Sequence, residues 1–247
     1  MDHVFESKET GAYEAWLSSE AGGAYIAASR RLIERVLDCR PGWRVLDVGC
    51  GLGCHLAHLR ERGMMVHGLE AGPVMARLAG QNLGSKVEID VGDAHDLPYE
   101  DNSFDAVIMV NTLEFMDRPA QALAEAVRVA MSRVCLIALN PISPVGAWWR
   151  MQRDRHPLGQ GRAITLWRLR RLVREVLGPV PQTWAGATLW PGVSVGPWPF
   201  AGLVGVCAAV TPRYRTRPLT VKVPGQSKAA RPAHGHGRVI LLPREKS

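Results

Sequence analysis

A short glycine-rich segment carries the clearest chemical signal in the sequence. The segment VLDVGCGLG, at residues 45–53, joins an apolar run to three glycines. A strand, a glycine turn and a helix start in this order bring free backbone N–H groups close to a ligand. The dinucleotide fingerprint GxGxxG needs a glycine at position 54, where Cys54 stands instead. Asp47 would repel a pyrophosphate and attract an ammonium group, so the segment predicts a ligand that has an ammonium group and no phosphate.

Further polar residues follow the other predicted strands. Glu70 lies seventeen residues after Gly53, where a carboxylate can accept hydrogen bonds from two ribose hydroxyls. Asp93 and Ala94 follow the third predicted strand and could bind the edge of an adenine ring. The fourth predicted strand ends at residues 111–115. Because ligands of open parallel sheets bind at the carboxyl ends of the strands, these residues are expected to meet at one site.

The elements that must position these residues alternate along the chain. Apolar runs predict strands at 44–48, 64–69, 87–91, 104–110 and 134–139, with two more at 183–190 and 203–210. Helical spacing predicts helices at 10–38, 54–62, 73–83, 119–130 and 165–177. Strands and helices that alternate in this way predict an α/β fold, a parallel sheet covered by helices on both faces.

In order and spacing, these motifs resemble the class I S-adenosylmethionine-dependent methyltransferases. The resemblance is to the small-molecule type 11 subgroup, which includes ubiquinone- and menaquinone-biosynthesis enzymes, and it covers roughly residues 40–140. It implies S-adenosylmethionine as the cofactor and a doubly wound, mostly parallel seven-stranded sheet. The cofactor-binding residues that it implies are Asp47, Gly49, Cys50, Gly51, Gly53, Glu70, Ala71, Met75, Asp93, Ala94, Asn111 and Leu113. Within this set, Cys50 is interpreted as a small filler of the turn, and Ala71 stands where the family often has a small polar residue.

Charge and composition divide the chain into parts. The net charge is +7 overall, but residues 148–176 alone hold eight arginines against two acids. We predict an N-terminal helical segment at 1–40, a methyltransferase domain at 41–211 with a basic, Trp-rich insert at about 141–164, and a flexible, basic, Pro-rich tail at 212–247. Five cysteines without a CxxC pair, and no long apolar run at the N-terminus, favour a cytoplasmic location.

The predicted reaction is in-line methyl transfer to a small acceptor, to which the protein mainly contributes proximity and orientation. The Trp-rich second half favours a hydrophobic acceptor. If the acceptor is a hydroxyl or amine, Glu114 and His156 are the candidate bases. The aromatic candidates for stabilising the sulfonium are Tyr13, Trp16, Tyr25 and Phe115. The segment 148–176 is interpreted either as a solvated face or as a lid that touches an anionic group or a membrane surface.

Two alternative functions remain open at this point. A non-catalytic scaffold would use the same fold and bind a partner through its basic segments. A nucleic-acid methyltransferase would explain the basic tail, although residues 111–114 read Asn-Thr-Leu-Glu rather than an Asn-Pro-Pro-Tyr-like motif, and no specific nucleic-acid site is expected.

The histidines show no metal-ligand spacing, so no metal is expected. Prolines interrupt the uncharged stretch at 177–210 and argue against a membrane-spanning helix. The oligomeric state is left open.

Overall fold

The computed structural model describes residues 7–38, 40–152, 156–189 and 192–212. The helices are α1 (Ser7–Leu17), α2 (Glu20–Leu37), α3 (Cys54–Glu61), α4 (Pro73–Leu83), α5 (Pro119–Val129), α6 (Pro144–Met151) and α7 (Leu166–Leu177). The strands are β1 (Arg44–Val48), β2 (Met65–Glu70), β3 (Glu88–Val91), β4 (Phe104–Val110), β5 (Ala130–Leu139), β6 (Gln182–Ala187), β7 (Val195–Gly196) and β8 (Leu203–Ala209). A single 3₁₀ turn, Leu113–Phe115, follows β4.

The eight strands form one sheet in the order β3-β2-β1-β4-β5-β8-β6-β7. The first five strands in this order run parallel, and β8, β6 and β7 are antiparallel to their neighbours. The doubly wound, mostly parallel α/β fold is therefore confirmed. The sheet has an eighth strand beyond the predicted seven, because β7 contributes a two-residue pairing with β6.

Alternation along the central strands builds a core on each face of the sheet. In β4, Val107 and Met109 pack with residues of α5 and α7, whereas Ile108 and Val110 pack with residues of α2. Both sets are almost fully buried. Burial of both faces explains why β4 reads as a nearly continuous apolar run. The sheet is thus held rigidly between helices, and the carboxyl ends of β1, β2 and β4 lie together at one edge.

Two local features differ from the sequence expectations. The single helix predicted at 10–38 is two helices, because the Ser19 hydroxyl accepts a hydrogen bond from Gly22 N at 3.2 Å and starts α2. The insert contains a helix, α6, which begins where Ser143 accepts from Gly146 N at 2.8 Å. The predicted cap of α7 is confirmed, since Thr165 Oγ1 accepts from Arg168 N.

The chain divides into two units, residues 1–213 and residues 214–247. The tail predicted at 212–247 lies outside the described residues from position 213 onward, as does the end of the strand predicted at 183–190. Within the described ranges, no helix combines the length and apolarity that a membrane crossing needs.

Candidate active site

The glycine turn after β1 forms one wall of a cleft. Gly49 and Gly51 have φ angles of +75° and +56°, in the left-handed region that favours glycine. A side chain at position 49 would also collide with the Thr112 methyl group. Gly53 forms the N-cap of α3, so the turn ends at the start of a helix as predicted.

Asp47 lies at the inner end of this turn and is the most unusual charged group of the site. Its side chain is almost fully buried, and neither carboxylate oxygen has a hydrogen-bond partner among the described residues. Burial, and secondarily the nearby Glu70 carboxylate, raise the pKa of Asp47 to about 8. A buried acid without partners is costly to the fold. A cation bound beside it would offset that cost, which is the behaviour expected of a residue that receives an ammonium group.

Glu70 ends β2 beside the glycine turn and lines the same cleft. Its two oxygens accept hydrogen bonds from Gly51 N at 3.0 Å and Gly72 N at 2.9 Å. Burial raises the pKa of Glu70, and the two backbone hydrogen bonds offset part of that rise. The carboxylate is therefore fixed against the glycine turn at the place where a ribose was expected. Met75, at the start of α4, is buried and also lines the cleft.

The end of β4 supplies the floor of the cleft. Asn111 adopts φ +51°, a conformation that asparagine tolerates better than most residues, and the Thr112 hydroxyl donates to Val48 O at 3.0 Å. The Thr112 bond ties the end of β4 to the end of β1. Among the described residues, the lining of the cleft is Tyr13, Gly49, Gly51, Glu70, Met75, Val110, Asn111, Thr112, Phe115 and Leu158.

A buried hydrogen-bond chain runs from α2 to the 3₁₀ turn. Tyr25 Oη donates to Asn111 Oδ1 at 2.8 Å, and Asn111 Nδ2 donates to Glu114 Oε1 at 2.8 Å. The same Glu114 oxygen accepts from Leu139 N at 2.9 Å. The other oxygen, Oε2, is buried and has no partner among the described residues. Burial raises the pKa of Glu114 to about 7, so this carboxyl can change protonation state near neutral pH.

A second cavity, of about 260 Å³, adjoins the cleft. It shares Phe115 and Leu158 with the cleft, so the two cavities meet at these side chains. Glu114 stands in its lining together with Trp149 from α6. The complete lining is Glu114, Phe115, Leu139, Pro141, Gly146, Trp149, Arg150, Leu158, Gly159, Gly161, Arg162 and Ala163. The second cavity is mainly apolar and has one acid and two guanidinium groups.

Seven of the residues predicted to bind the cofactor lie outside the cleft lining. Two of them belong to the glycine turn and its strand: Gly53 caps α3, and Asp47 is buried beneath the turn, near the Glu70 carboxylate. The Asp93 carboxylate accepts from His95 N at 3.0 Å, and its side chain is about half exposed. Ala94 is buried in the core, and Leu113 lines a separate surface groove. Cys50 packs in a small cluster beneath the turn, in keeping with its interpretation as a filler. Ala71 follows Glu70 directly and is partly exposed. Contact of these residues with the cofactor stays a prediction.

The structure separates the two candidate bases. Glu114 lines the second cavity, whereas the His156 ring lies against Trp149, with ring centroids 4.6 Å apart, and against Trp16 at 4.9 Å. Burial lowers the pKa of His156 to about 4. His156 is absent from the linings of the cleft and of the second cavity. Its packing favours a structural role, and we carry only Glu114 forward as the base.

Most of the cleft lining was marked by the sequence. Tyr13 and Phe115 were among the aromatic candidates, and Val110 and Thr112 lie at the predicted end of the fourth strand. Leu158 also lines the cleft, but nothing in its local sequence marks it. In the described part of the chain, no group of three or more acidic, histidine or cysteine side chains could hold a metal ion.

Comparison with solved structures defines the class of fold. An S-adenosylmethionine-dependent methyltransferase from Thermotoga maritima matches 80% of this chain and 93% of its own length, with a TM-score of 0.68 and 21% identity. A magnesium protoporphyrin IX methyltransferase from Synechocystis, solved with bound S-adenosylhomocysteine, matches 84% of this chain and 96% of its own, with a TM-score of 0.63 and 16% identity. The fold is that of the class I methyltransferases.

Sequence comparison points to the same class. Residues 46–137 match the family model described as a methyltransferase domain. Ajmaline N-methyltransferase from Rauvolfia serpentina is 32% identical over 133 residues, which are 50% of this chain and 46% of that protein. Demethylmenaquinone methyltransferase from Renibacterium salmoninarum is 37% identical over 100 residues, 40% of this chain and 42% of that protein. The chain therefore spans about half the length of these curated relatives.

S-adenosylmethionine is the cofactor of this family, and the residues present fit it. Its ammonium group matches the unpartnered Asp47 carboxyl, and its ribose matches the Glu70 carboxylate at the cleft wall. Gly49 and Gly51 have no side chains and leave room for the ligand against the turn. The sequence motifs predicted all four of these residues as cofactor-binding residues.

Proposed function

We propose that this chain transfers the methyl group of S-adenosylmethionine to a small, largely hydrophobic acceptor bound in the second cavity. The observation that carries the proposal is that the cleft and the second cavity meet at Phe115 and Leu158. A ligand in each cavity would have one end at this junction, which would place the two reacting ends next to each other. Binding both partners in fixed orientation can lower the barrier by about 7–11 kcal/mol.

Different residues of the chain have different roles in this reaction. When bound, the cofactor supplies an electrophilic methyl group on its sulfonium. Asp47 and Glu70 hold the ligand in the cleft, while the aromatic rings of Tyr13 and Phe115 face its charged centre. Glu114 Oε2, which has no other described partner, accepts the proton of an acceptor hydroxyl or amine. Asn111 and Leu139 fix the other oxygen of Glu114 and so orient the base.

The cavity, rather than the relatives, supports the acceptor class. The relatives named above carry different compounds in their names, ajmaline and demethylmenaquinone. The walls around Glu114 are mostly apolar, with Leu139, Trp149 and Leu158 among them. We therefore propose a hydrophobic acceptor. A cytoplasmic location and the oligomeric state stay open to measurement.

Contact with an anionic membrane surface is a further part of the proposal, supported by an exposed band beside the second cavity. Trp148 and Met151 on α6 are 53% and 84% exposed, and Phe200, which is 62% exposed, lies at a tilt against Trp167 with ring centroids 5.9 Å apart. Asn140 Nδ2 donates to Pro199 O, which brings the loop of Phe200 next to the start of α6. Exposed aromatic residues next to arginines are typical of interfacial surfaces.

Four measurements test these proposals. Isothermal titration with S-adenosylmethionine should show binding, whereas no binding at high concentration would favour the non-catalytic scaffold. A turnover panel of isoprenoid quinol precursors, lipids and small polar acceptors should give product with hydrophobic members, and turnover of polar acceptors alone would contradict the acceptor class. Unchanged activity after removal of residues 212–247 would exclude a tail-dependent nucleic-acid substrate. Co-flotation with phosphatidylglycerol vesicles, but not with phosphatidylcholine vesicles, tests the membrane surface.

A further inference from the structure

The charged groups of the second cavity are distributed unevenly between its buried and its exposed parts. At its inner end, Glu114 is 3% exposed. Two arginines, Arg150 and Arg162, also line the cavity, and both are exposed to solvent. The cavity therefore has a buried carboxyl inside and guanidinium groups toward its mouth.

We propose that the acceptor carries an anionic group, and that Arg150 and Arg162 bind this group at the mouth of the second cavity while its apolar body and reacting atom lie inside. The inference rests on the proposed function, because it names the acceptor class of the same site. A guanidinium group presents several N–H donors in a planar fork that suits carboxylate and related anions.

The charges around the mouth favour an anion. Arg150 is exposed, and α6, which carries it, contains no acidic residue. Arg162 pairs with Asp117 at 2.8 Å, but the Arg162 side chain is 71% exposed and that of Asp117 55% exposed. An ion pair this exposed contributes little and can give up donors to a ligand. Two guanidinium groups therefore face one weakly held carboxylate.

The backbone fixes the position of these groups relative to the reacting end. Arg162 N donates to Glu114 O at 2.8 Å, which ties the loop that carries one arginine to the 3₁₀ turn that carries the proposed base. Trp149 and Arg150 are adjacent on α6, so the apolar wall and the second arginine move together. An acceptor with its anion at the arginines would direct its apolar end toward Glu114 and the junction with the cleft.

Two dyes with the same apolar body test the anion directly. 8-Anilinonaphthalene-1-sulfonate carries a sulfonate, and N-phenyl-1-naphthylamine lacks it. We expect Arg150→Gln and Arg162→Gln each to weaken the affinity for the sulfonate dye about three- to tenfold, as for a partly exposed charge contact, with little change for the neutral dye. Arg174→Gln, an exposed arginine of α7 outside the lining of the second cavity, is the matched control and should leave both affinities unchanged. Ala163→Phe, which fills the second cavity, should weaken both dyes.

The results distinguish failure of the anion site from failure of the proposed function. Equal loss of both dyes in the arginine variants, or equal loss in Arg174→Gln, would overturn the anion site. If a variant fails to fold, added salt provides a second reading on the unaltered protein: affinity for the sulfonate dye should fall with salt while affinity for the neutral dye does not. Titration with S-adenosylhomocysteine is run on the same samples. Loss of that binding with retained dye discrimination would overturn the proposed function and leave the anion site standing.

Discussion

Replacing Asp47 with asparagine should stabilise the free protein and weaken cofactor binding at the same time. Asp47 has a folded-state pKa of about 8 against an ordinary value of 3.8. A group with a raised folded pKa contributes its stability below pH 4 and loses it as pH rises toward 8. At pH 7, linkage makes this loss about 4 kcal/mol. The Asp47→Asn variant avoids the loss, although its buried amide also lacks partners, so about 4 kcal/mol is an upper bound.

Thermal unfolding at a series of pH values measures this effect. The melting temperature of Asp47→Asn should exceed that of the unaltered protein at pH 7, by about 2–4 °C for each kcal/mol gained. The difference should shrink as pH falls toward 4, because the aspartate is then protonated in both the folded and the unfolded chain. A difference that does not depend on pH would refute the assignment of a raised pKa to Asp47.

Calorimetry tests the role of Asp47 in cofactor binding through the proton that is released when the cofactor binds. With a pKa of about 8, Asp47 is about nine-tenths protonated at pH 7 in the free protein. An ammonium group bound beside it favours the carboxylate, so binding of S-adenosylmethionine should release close to one proton at pH 7. Titrations in two buffers of different ionisation enthalpy count that proton. The Asp47→Asn variant should release none and bind about ten- to a hundredfold more weakly, and unchanged affinity would refute the role.

Three further predictions follow from the contacts of the site. Glu114→Gln should lower kcat about 10²- to 10⁴-fold and abolish the rise of activity with pH through about 7, while S-adenosylmethionine affinity, measured by calorimetry, stays the same. Tyr25→Phe should cost about 1–2 kcal/mol of unfolding free energy in urea because it leaves the buried Asn111 Oδ1 without its donor; Tyr99→Phe, at a half-buried hydroxyl, should cost less. Gly49→Ala should destabilise the protein by about 2–4 kcal/mol through both φ and the collision with Thr112, whereas Gly42→Ala, with φ +86° and open space, should cost only about 1–2 kcal/mol.

Local physical requirements explain what the sequence could predict. The strand, glycine turn and helix at 45–62 are encoded by neighbouring residues: an apolar run for burial on both faces, then glycines where φ is positive. Glu70 was predictable for the same reason, because it ends a strand that lies next to β1 in the sheet. Parallel neighbours place such residues at one edge without any further information.

The second cavity could not be predicted in this way. Its walls come from α6, from residues 158–163 and from the 3₁₀ turn, which meet only through long-range packing. Leu158 has no periodic pattern around it that would mark it as the partner of Phe115. Thr112 is similar, since its role depends on the carbonyl of Val48, 64 residues earlier in the chain. The break between α1 and α2, by contrast, had a readable signal in Ser19, a preferred N-cap residue.

The two unpartnered acids also locate the chemistry that the fold supports. Asp47 and Glu114 each have a buried carboxylate oxygen without a described partner, and Asn111 lines the cleft while it holds Glu114 in place. Natural cores rarely keep such groups, because each one lowers stability by several kcal/mol when charged. One lies where a cationic ligand would bind and the other where an acceptor would release a proton. A chain that used this fold only as a scaffold would gain stability by replacing both, so their presence argues for catalysis rather than for a binding role alone.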